Sequence, residues 1–318
     1  MGYLLLDKPA GCTSFDALRP VKRALKTGKI GHTGTLDKFA TGLLVVLEGR
    51  DLKLSRFFTH CDKSYEGTVC FGMETDTLDP EGAVVAEAPP PSRAAVEEVL
   101  EKFTGRIMQA PPLYSAVHIN GKRAHEIARG GGAADAAVVM KSRPVFIHRL
   151  NLISYEAAGQ TAVARIAVRC SSGAYIRSLA RDLALAASSR AHLVQLRRTS
   201  VADFSVEDAL RLPLDATAGT PNVGIKRQDG TAENPDPYGI ARARKSVDRR
   251  CFEQLRLPIV DIDEQNARAL RHGRPLTPLF PLLNTCNAPT AALFHGPRLV
   301  ALVEKSPQGW GYGFVHSN

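Results

Sequence analysis

One carboxylate in a glycine-rich stretch has the clearest capacity for chemistry in this sequence. Residues 31–42 read GHTGTLDKFATG and contain a single acid, Asp37, with His32 five positions before it. The three glycines can adopt backbone angles that other residues avoid, and an apolar run at residues 43–47 follows. An acid on a tight turn before a buried strand is held rigidly while its oxygens face a cleft. The same composition also fits an ordinary turn between two elements, because turns collect Gly and Asp.

Metal and disulfide chemistry are not indicated. The six cysteines (12, 61, 70, 170, 251 and 286) include no Cys-x-x-Cys pair, and the nine histidines form no cluster with ligand spacing. We therefore expect buried free thiols rather than a zinc site or a disulfide framework. No metal or other cofactor is expected.

The elements that must position Asp37 alternate irregularly between strands and helices. Hydrophobic periodicity and capping residues predict strands at residues 4–6, 64–71 and 161–170, and helices at residues 15–26, between Ser92 and Gly105, and at residues 176–187. The last helix places Tyr175 and Arg177 at its start. This pattern is typical of an α+β fold with a mixed, largely antiparallel sheet flanked by helices.

The chain is long enough for two domains. Residues 212–247 are rich in Pro, Gly, Asn, Asp and Thr and poor in apolar residues, which predicts a long polar loop or linker. Beyond it the sequence predicts a short helix ended by Gly273 and strands near residues 291–294, 299–303 and 311–315. We therefore expect a catalytic domain over residues 1–211, a polar linker or insertion over 212–250, and a small β-rich domain over 251–318.

The charge distribution favours an RNA partner. The net charge is +9, and residues 102–150 hold eight Lys or Arg against two acids, while residues 165–198 hold seven against one. Such basic blocks attract a phosphate backbone without reading its sequence, although they also fit a merely solvated surface. No apolar run is as long as a membrane span, and the N-terminus lacks a secretory signal, so a cytoplasmic location is expected.

Residues 31–42 resemble the active-site motif G-H-x-G-x-L-D-P-x-A-T-G of the TruB-type tRNA pseudouridine synthases. Further segments follow in the family's order, at residues 2–11, 63–66, 75–82, 112–116, 173–179 and 196–199. Lys38 departs from the pattern, since it stands where the family usually has proline. Proline would stiffen the backbone there, so we expect either a looser turn or a lysine charge near the site. The C-terminal segment resembles, more weakly, a PUA domain, which is an RNA-binding β-barrel.

The resemblance implies a role for each matching residue. Asp37 would be the nucleophile, Arg177 the cation that orients it and lowers its pKa, and Tyr65 the ring that stacks on the target base. For RNA and substrate binding it implies four further residues: His32, which would enter the RNA loop, Lys8, which would meet phosphate or support the site, Tyr175, which would shape the pocket, and Leu196.

The function implied by this resemblance is that of a tRNA pseudouridine-55 synthase, an isomerase acting on the uridine of the T-arm loop without a cofactor or a protein partner, as a monomer. Two alternatives remain open: a tRNA-binding or folding protein without chemistry, and a guide-RNA-dependent synthase of the dyskerin type. Whether Asp37 attacks the base or the ribose is also open at this level.

Overall fold

The computed structural model describes residues 2–115, 118–119, 122–123, 140–217 and 236–315. Within these ranges no helix is both long enough and apolar enough to cross a membrane.

The described strands, in chain order, are β1 (Gly2–Lys8), β2 (Ile30–His32), β3 (Thr41–Glu48), β4 (Lys63–Phe71), β5 (Met73–Thr75), β6 (Val84–Glu87), β7 (Gly105–Gln109), β8 (His118–Ile119), β9 (Lys122–Arg123), β10 (Arg143–Ala158), β11 (Thr161–Cys170), β12 (Ala191–Val201), β13 (Phe204–Ser205), β14 (Leu210–Arg211), β15 (Ile259–Asp261), β16 (Thr290–His295), β17 (Arg298–Ser306) and β18 (Gly309–Val315).

The described α-helices are α1 (Leu18–Ala24), α2 (Ser55–Thr59), α3 (Arg93–Lys102), α4 (Ile176–Ala186), α5 (Leu214–Thr217), α6 (Ile240–Ala243), α7 (Arg249–Gln254), α8 (Glu264–Arg271) and α9 (Phe280–Leu283). Short 3₁₀ turns occur at Gly49–Leu54, Val206–Asp208 and Thr277–Leu279.

A large mixed sheet organises the molecule, as the sequence predicted. Its strands follow the order β14-β1-β3-β12-β4-β11-β10-β7, with β2 added to β3 and β13 added to β12. The β1–β14 and β3–β12 pairs are parallel, whereas the other pairs of this sheet are antiparallel. The parallel β3–β12 pair brings the strand after Asp37 next to a strand about 150 residues later in the chain.

Local sequence explains the two elements that flank the site. On β4, alternate residues are buried, so one face of the strand joins the core while the other faces outward. On α4, the apolar positions Ile176, Leu179 and Leu183 are buried against that core. The hydroxyl of Ser92 accepts a hydrogen bond from the amide of Ala95 at 3.2 Å, which confirms the predicted cap of α3.

The C-terminal residues form a four-stranded sheet in the order β15-β16-β17-β18. This sheet packs directly on the part of the chain that forms the large sheet, because Phe294 and Leu302 share one buried apolar cluster with Tyr3 and Phe58. Arg56 adds an ion pair to Glu304 at 2.8 Å. The C-terminal unit is therefore attached through a common core as well as through the chain.

The two described ends of the expected polar linker or insertion pack against the rest of the chain. Leu212 is 4% exposed and Ile240 is fully buried, and both join the cluster under α1. The backbone of Lys245 pairs with that of Tyr3. A few apolar residues anchor these ends despite the polar composition, while residues 218–235 lie outside the described ranges.

Candidate active site

Asp37 lies on the turn between β2 and β3, and a buried hydroxyl holds that turn. Ser14 Oγ accepts a hydrogen bond from the Leu36 amide at 2.8 Å and donates one to the Leu36 carbonyl at 3.0 Å. The backbone next to the acid is therefore fixed on both its donor and its acceptor side. This geometry supports the expectation of a rigid acid rather than an idle surface turn.

Arg198, a buried residue of β12, is hydrogen-bonded to the backbone of the same turn. Its guanidinium donates to the carbonyls of Leu43 at 2.7 Å, Gly34 at 3.0 Å and Thr35 at 3.4 Å. Gly42 has a φ of +105°, and a Cβ there would stand 2.3 Å from the Arg198 carbonyl oxygen. Only glycine fits this contact, because any side chain would push β3 away from β12.

The structure favours the second of the two roles expected for Lys8, which is to support the site rather than to meet phosphate. The side chain is fully buried, and its ammonium donates to the carbonyls of Cys12 at 2.8 Å, Pro9 at 2.9 Å and Lys38 at 3.4 Å. An ammonium enclosed by three carbonyls is not placed to meet an RNA phosphate. Lys8 instead supports the site, since it ties the turn after β1 to the residue following Asp37.

Arg177 is the centre of the site. From the second residue of α4 its Nε and Nη2 atoms contact the two oxygens of Asp37 at 3.0 and 3.2 Å, and Nη1 contacts Asp79 at 3.0 Å. The guanidinium also donates to the carbonyls of Thr77 at 2.7 Å and Tyr114 at 2.9 Å. A cation at a helix start is disfavoured by the helix dipole, and here two carboxylates compensate for it.

The surroundings of Asp37 raise its pKa on balance, whereas a neighbouring cation alone would lower it. Burial is the largest influence and raises the pKa of Asp37 above its ordinary value, while Arg177 acts to lower it. The charge of Asp79 raises this pKa further, Lys8 opposes that effect, and Glu81 adds to it. Arg177 thus orients Asp37 and favours its ionised form without overcoming the burial.

The structure brings five of the predicted site residues to one cleft. This cleft, of about 320 Å³, is lined by Asp37, Tyr65, Tyr175, Arg177 and Leu196. Tyr175 precedes α4 in an extended conformation, and its amide donates to Gln109 Oε1 at 2.8 Å. Aromatic and apolar walls around one ion pair suit a flat, uncharged ring that must be enclosed beside a carboxylate.

Tyr65 forms the inner wall of the cleft. Only 8% of the residue is exposed, and burial raises the pKa of its phenol, although the neighbouring Arg198 guanidinium acts to lower it. The phenol therefore stays protonated at neutral pH, where it can donate a hydrogen bond.

His32 is not among the residues of the described ranges that line the cleft. It ends β2 opposite Val46, and burial lowers the pKa of its imidazole, which is therefore neutral near pH 7. Its Nδ1 atom is buried without a hydrogen-bond partner among the described residues. His32 thus stands five residues before Asp37 on the strand that supports the turn.

Lys38 places a charge beside the site, which was one of the two outcomes expected from its departure from the family pattern. Its ammonium lies 3.6 Å from Glu81, and both side chains are about half exposed. The Glu81 amide donates to Asp79 at 3.0 Å. The Asp37 turn is therefore linked to the Asp79 segment on the surface as well as through Arg177.

Sequence reasoning assigned no role to Asp79 or Arg198, although both lie inside motifs that it singled out. Asp79 is 5% exposed and accepts from Thr77 Oγ1 at 2.6 Å as well as from Arg177. Asp79 could have been found from the rule that a buried arginine is rarely unpaired. If Arg177 is buried, its guanidinium needs more than one acceptor, so a second carboxylate is expected beside it.

Within the part of the chain that the structure describes, no group of three or more His, Cys, Asp or Glu side chains is arranged to hold a metal ion. The groups that line the cleft include the Asp37–Arg177 ion pair, two phenols, aliphatic side chains, and the further cations Lys63 and Arg198.

Comparison with known proteins places this site in a family. A sequence model described as "TruB family pseudouridylate synthase (N terminal domain)" matches residues 22–176. Proteins named tRNA pseudouridine synthase B are 42% identical over 209 residues in Borreliella burgdorferi (strain ZS7; 65% of this chain, 72% of the relative), and 43% identical over 246 residues in Bordetella pertussis (76% and 96%). The protein of that name from Treponema denticola is 42% identical over 297 residues (85% and 82%).

The fold has a counterpart among solved structures. The chain superposes on a chain from the crystal structure of a Cbf5-Nop10-Gar1 complex with a TM-score of 0.61 and 22% identity, covering 100% of this chain and 84% of the other. The named sequence relatives show that the chain is a pseudouridine synthase. The extent and identity of the sequence matches show that the chain belongs to the TruB family of pseudouridylate synthases.

Proposed function

We propose that this protein is a tRNA pseudouridine synthase that isomerises the uridine of the T-arm loop, position 55, with Asp37 as nucleophile. The observation that carries the proposal is the contact of the Arg177 guanidinium with both oxygens of Asp37 at 3.0 and 3.2 Å, in a cleft walled by Tyr65. Relatives named tRNA pseudouridine synthase B supply the class of substrate.

The reaction breaks the N1–C1′ bond of uridine, turns the base and forms a C5–C1′ bond. C5 loses its hydrogen as a proton and N1 gains one, so no electrons and no outside group are required. Asp37 supplies the electron pair that holds the reacting carbon during the turn, whether that carbon belongs to the base or to the ribose. Arg177 keeps the carboxylate aimed at the cleft.

Tyr65 and Leu196 hold the base while it is detached. The target uridine must leave the stack of the RNA loop, which costs a few kcal/mol. Stacking of its base on an aromatic ring offsets about 1–3 kcal/mol of that cost. The ring of Tyr65 acts as the stacking platform. Because its phenol is protonated, the hydroxyl can also donate a hydrogen bond.

The remaining assignments rest on sequence pattern and packing. The C-terminal β-rich unit, residues 251–318, is proposed to be a PUA-like module that adds RNA affinity, with residues 1–211 as the catalytic domain. His32 is proposed to face the opened RNA loop from β2. Action as a monomer, in the cytoplasm and without a protein partner remains a prediction.

Release of tritium from RNA labelled at C5 of uridine tests the proposal, because forming the C5–C1′ bond expels that hydrogen. An isolated T-arm stem-loop should release about one tritium per molecule, in the absence of ATP, added metal or guide RNA. A stem-loop with cytidine at the target position is the control. Turnover that occurs only with an added guide RNA would favour the dyskerin-type alternative, and RNA binding without any release would favour a non-catalytic protein.

A further inference from the structure

An exposed apolar and basic surface continues from the rim of the cleft onto the outer face of β7 and β10. It consists of Arg106 and Met108 on β7 and of Phe146 and His148 on β10, and we call it the Phe146 surface. Met108 is 61% exposed and Phe146 is 44% exposed, whereas Val145 and Ile147 on the other face of β10 are buried. The alternation is therefore regular, and the large apolar side chains point to solvent.

The Phe146 surface is joined to the cleft by the backbone. The Phe146 amide donates to Ser171 Oγ at 3.0 Å, and the Ser171 amide donates to the Phe146 carbonyl at 2.8 Å. Ser171 lines the cleft that contains Asp37. Phe146 is therefore hydrogen-bonded directly to a residue of the cleft wall.

Two aromatic rings at this place are positioned for a base. The rings of Phe146 and His148 lie 4.9 Å apart at an angle of 45°, and His148 Nε2 is held by Asp62 at 3.1 Å. The His148 ring lies beside the Phe146 ring, and 44% of Phe146 remains exposed to solvent. An exposed aromatic face accepts any base, because every base has a π-surface.

The charges around this surface select an anionic partner. Arg106 lies directly across from Phe146 in the β7–β10 pair. Asp62, the acid that contacts His148, is shared with Arg169, so Arg106 and Arg169 outnumber the acid beside this surface. An aromatic ring among phosphate-binding cations is the combination that single-stranded nucleic acid requires.

We propose that the Phe146 surface is a second base-binding site, which stacks an unpaired base of the substrate RNA beside the cleft that holds the target uridine. The inference rests on the proposed function for the identity of the RNA. It adds an affinity element on β10 that is separate from the catalytic groups.

The test compares two substitutions that shorten a side chain to alanine, both on β10. Ile153, also on β10 and 46% exposed, is the matched control for Phe146. With a T-arm stem-loop, Phe146→Ala should raise KM and Kd by about 5- to 100-fold and leave kcat at saturating RNA unchanged, whereas Ile153→Ala should leave all three unchanged. Phe146→Trp should bind at least as tightly as the unaltered protein.

A scan of the RNA locates the base. Replacing single unpaired nucleotides by abasic ones should identify one position whose loss weakens binding to the unaltered protein but not to Phe146→Ala. An unchanged KM for Phe146→Ala, or an equal loss for Ile153→Ala, would overturn the proposal. A lower melting temperature with unchanged KM would overturn it too, by showing that the chain itself covers this surface. Absence of turnover in the unaltered protein would refute the proposed function, while Kd still reports on the surface.

Discussion

Arg177 has two carboxylate partners, and removing its charge should separate their roles. Arg177→Met keeps the length of the side chain and leaves Asp79, whose side chain is 7% exposed, as a buried charge without its cation. Breaking a buried pair on one side costs about 3–5 kcal/mol. For a chain of this size that corresponds to a fall in melting temperature of roughly 10 °C. One edge of Asp37 stays open, with 38% of its side chain exposed, so water compensates much of its loss even though the surrounding protein raises its pKa.

A second substitution distinguishes stability from chemistry. In Arg177→Met/Asp79→Leu both charges of the buried pair are gone, and replacement of a whole pair by apolar groups is often close to neutral. The double variant should therefore recover most of the melting temperature, yet remain inactive because Asp37 has lost its orienting contact. Thermal unfolding and single-turnover tritium release at saturating RNA measure the two effects. The reasoning is refuted if Arg177→Met melts like the unaltered protein or if the double variant regains turnover.

Three further predictions concern the cleft. Asp37→Asn should abolish tritium release with little change in RNA affinity. Since burial raises the pKa of Asp37, kcat should decline on the acidic side of its pH profile at a pH above the pKa of an ordinary aspartate. Turnover by Asp37→Asn, or an acidic decline at the ordinary aspartate pKa, would contradict this. Tyr65→Phe should bind RNA normally and react more slowly, whereas Tyr65→Leu should lose both; a Tyr65→Phe rate equal to that of the unaltered protein would exclude a role for the hydroxyl. Lys38→Ala should change kcat less than about fivefold, because half-exposed ion pairs contribute only about 0–1 kcal/mol; a larger loss would make Lys38 part of the chemistry.

The sequence by itself determined the elements whose signals are local. The alternation along β4 and the Ser92 cap of α3 depend only on residues that are neighbours in the chain, and both were predicted. The residues that converge on Asp37 were predicted from motif resemblance, which carried Tyr65, Arg177 and Leu196 to positions that the structure does bring to one cleft. The net effect on the pKa of Asp37 was not predicted, because burial acts through everything packed around the turn.

Only the tertiary structure decided the environments of the buried charges. Lys8 and Arg198 are cations that nothing in the sequence marks as buried. Lys8 is enclosed by carbonyls of the turn after β1 and of Lys38, and Arg198 by carbonyls of the Asp37 turn and of β3. Asp79 reaches Arg177 across 98 residues. The C-terminal unit shares a core with β1 that the polar composition of residues 212–247 concealed. Each of these depends on distant strands approaching one another, and charge and hydrophobic periodicity along a segment carry no information about which distant segment packs against it.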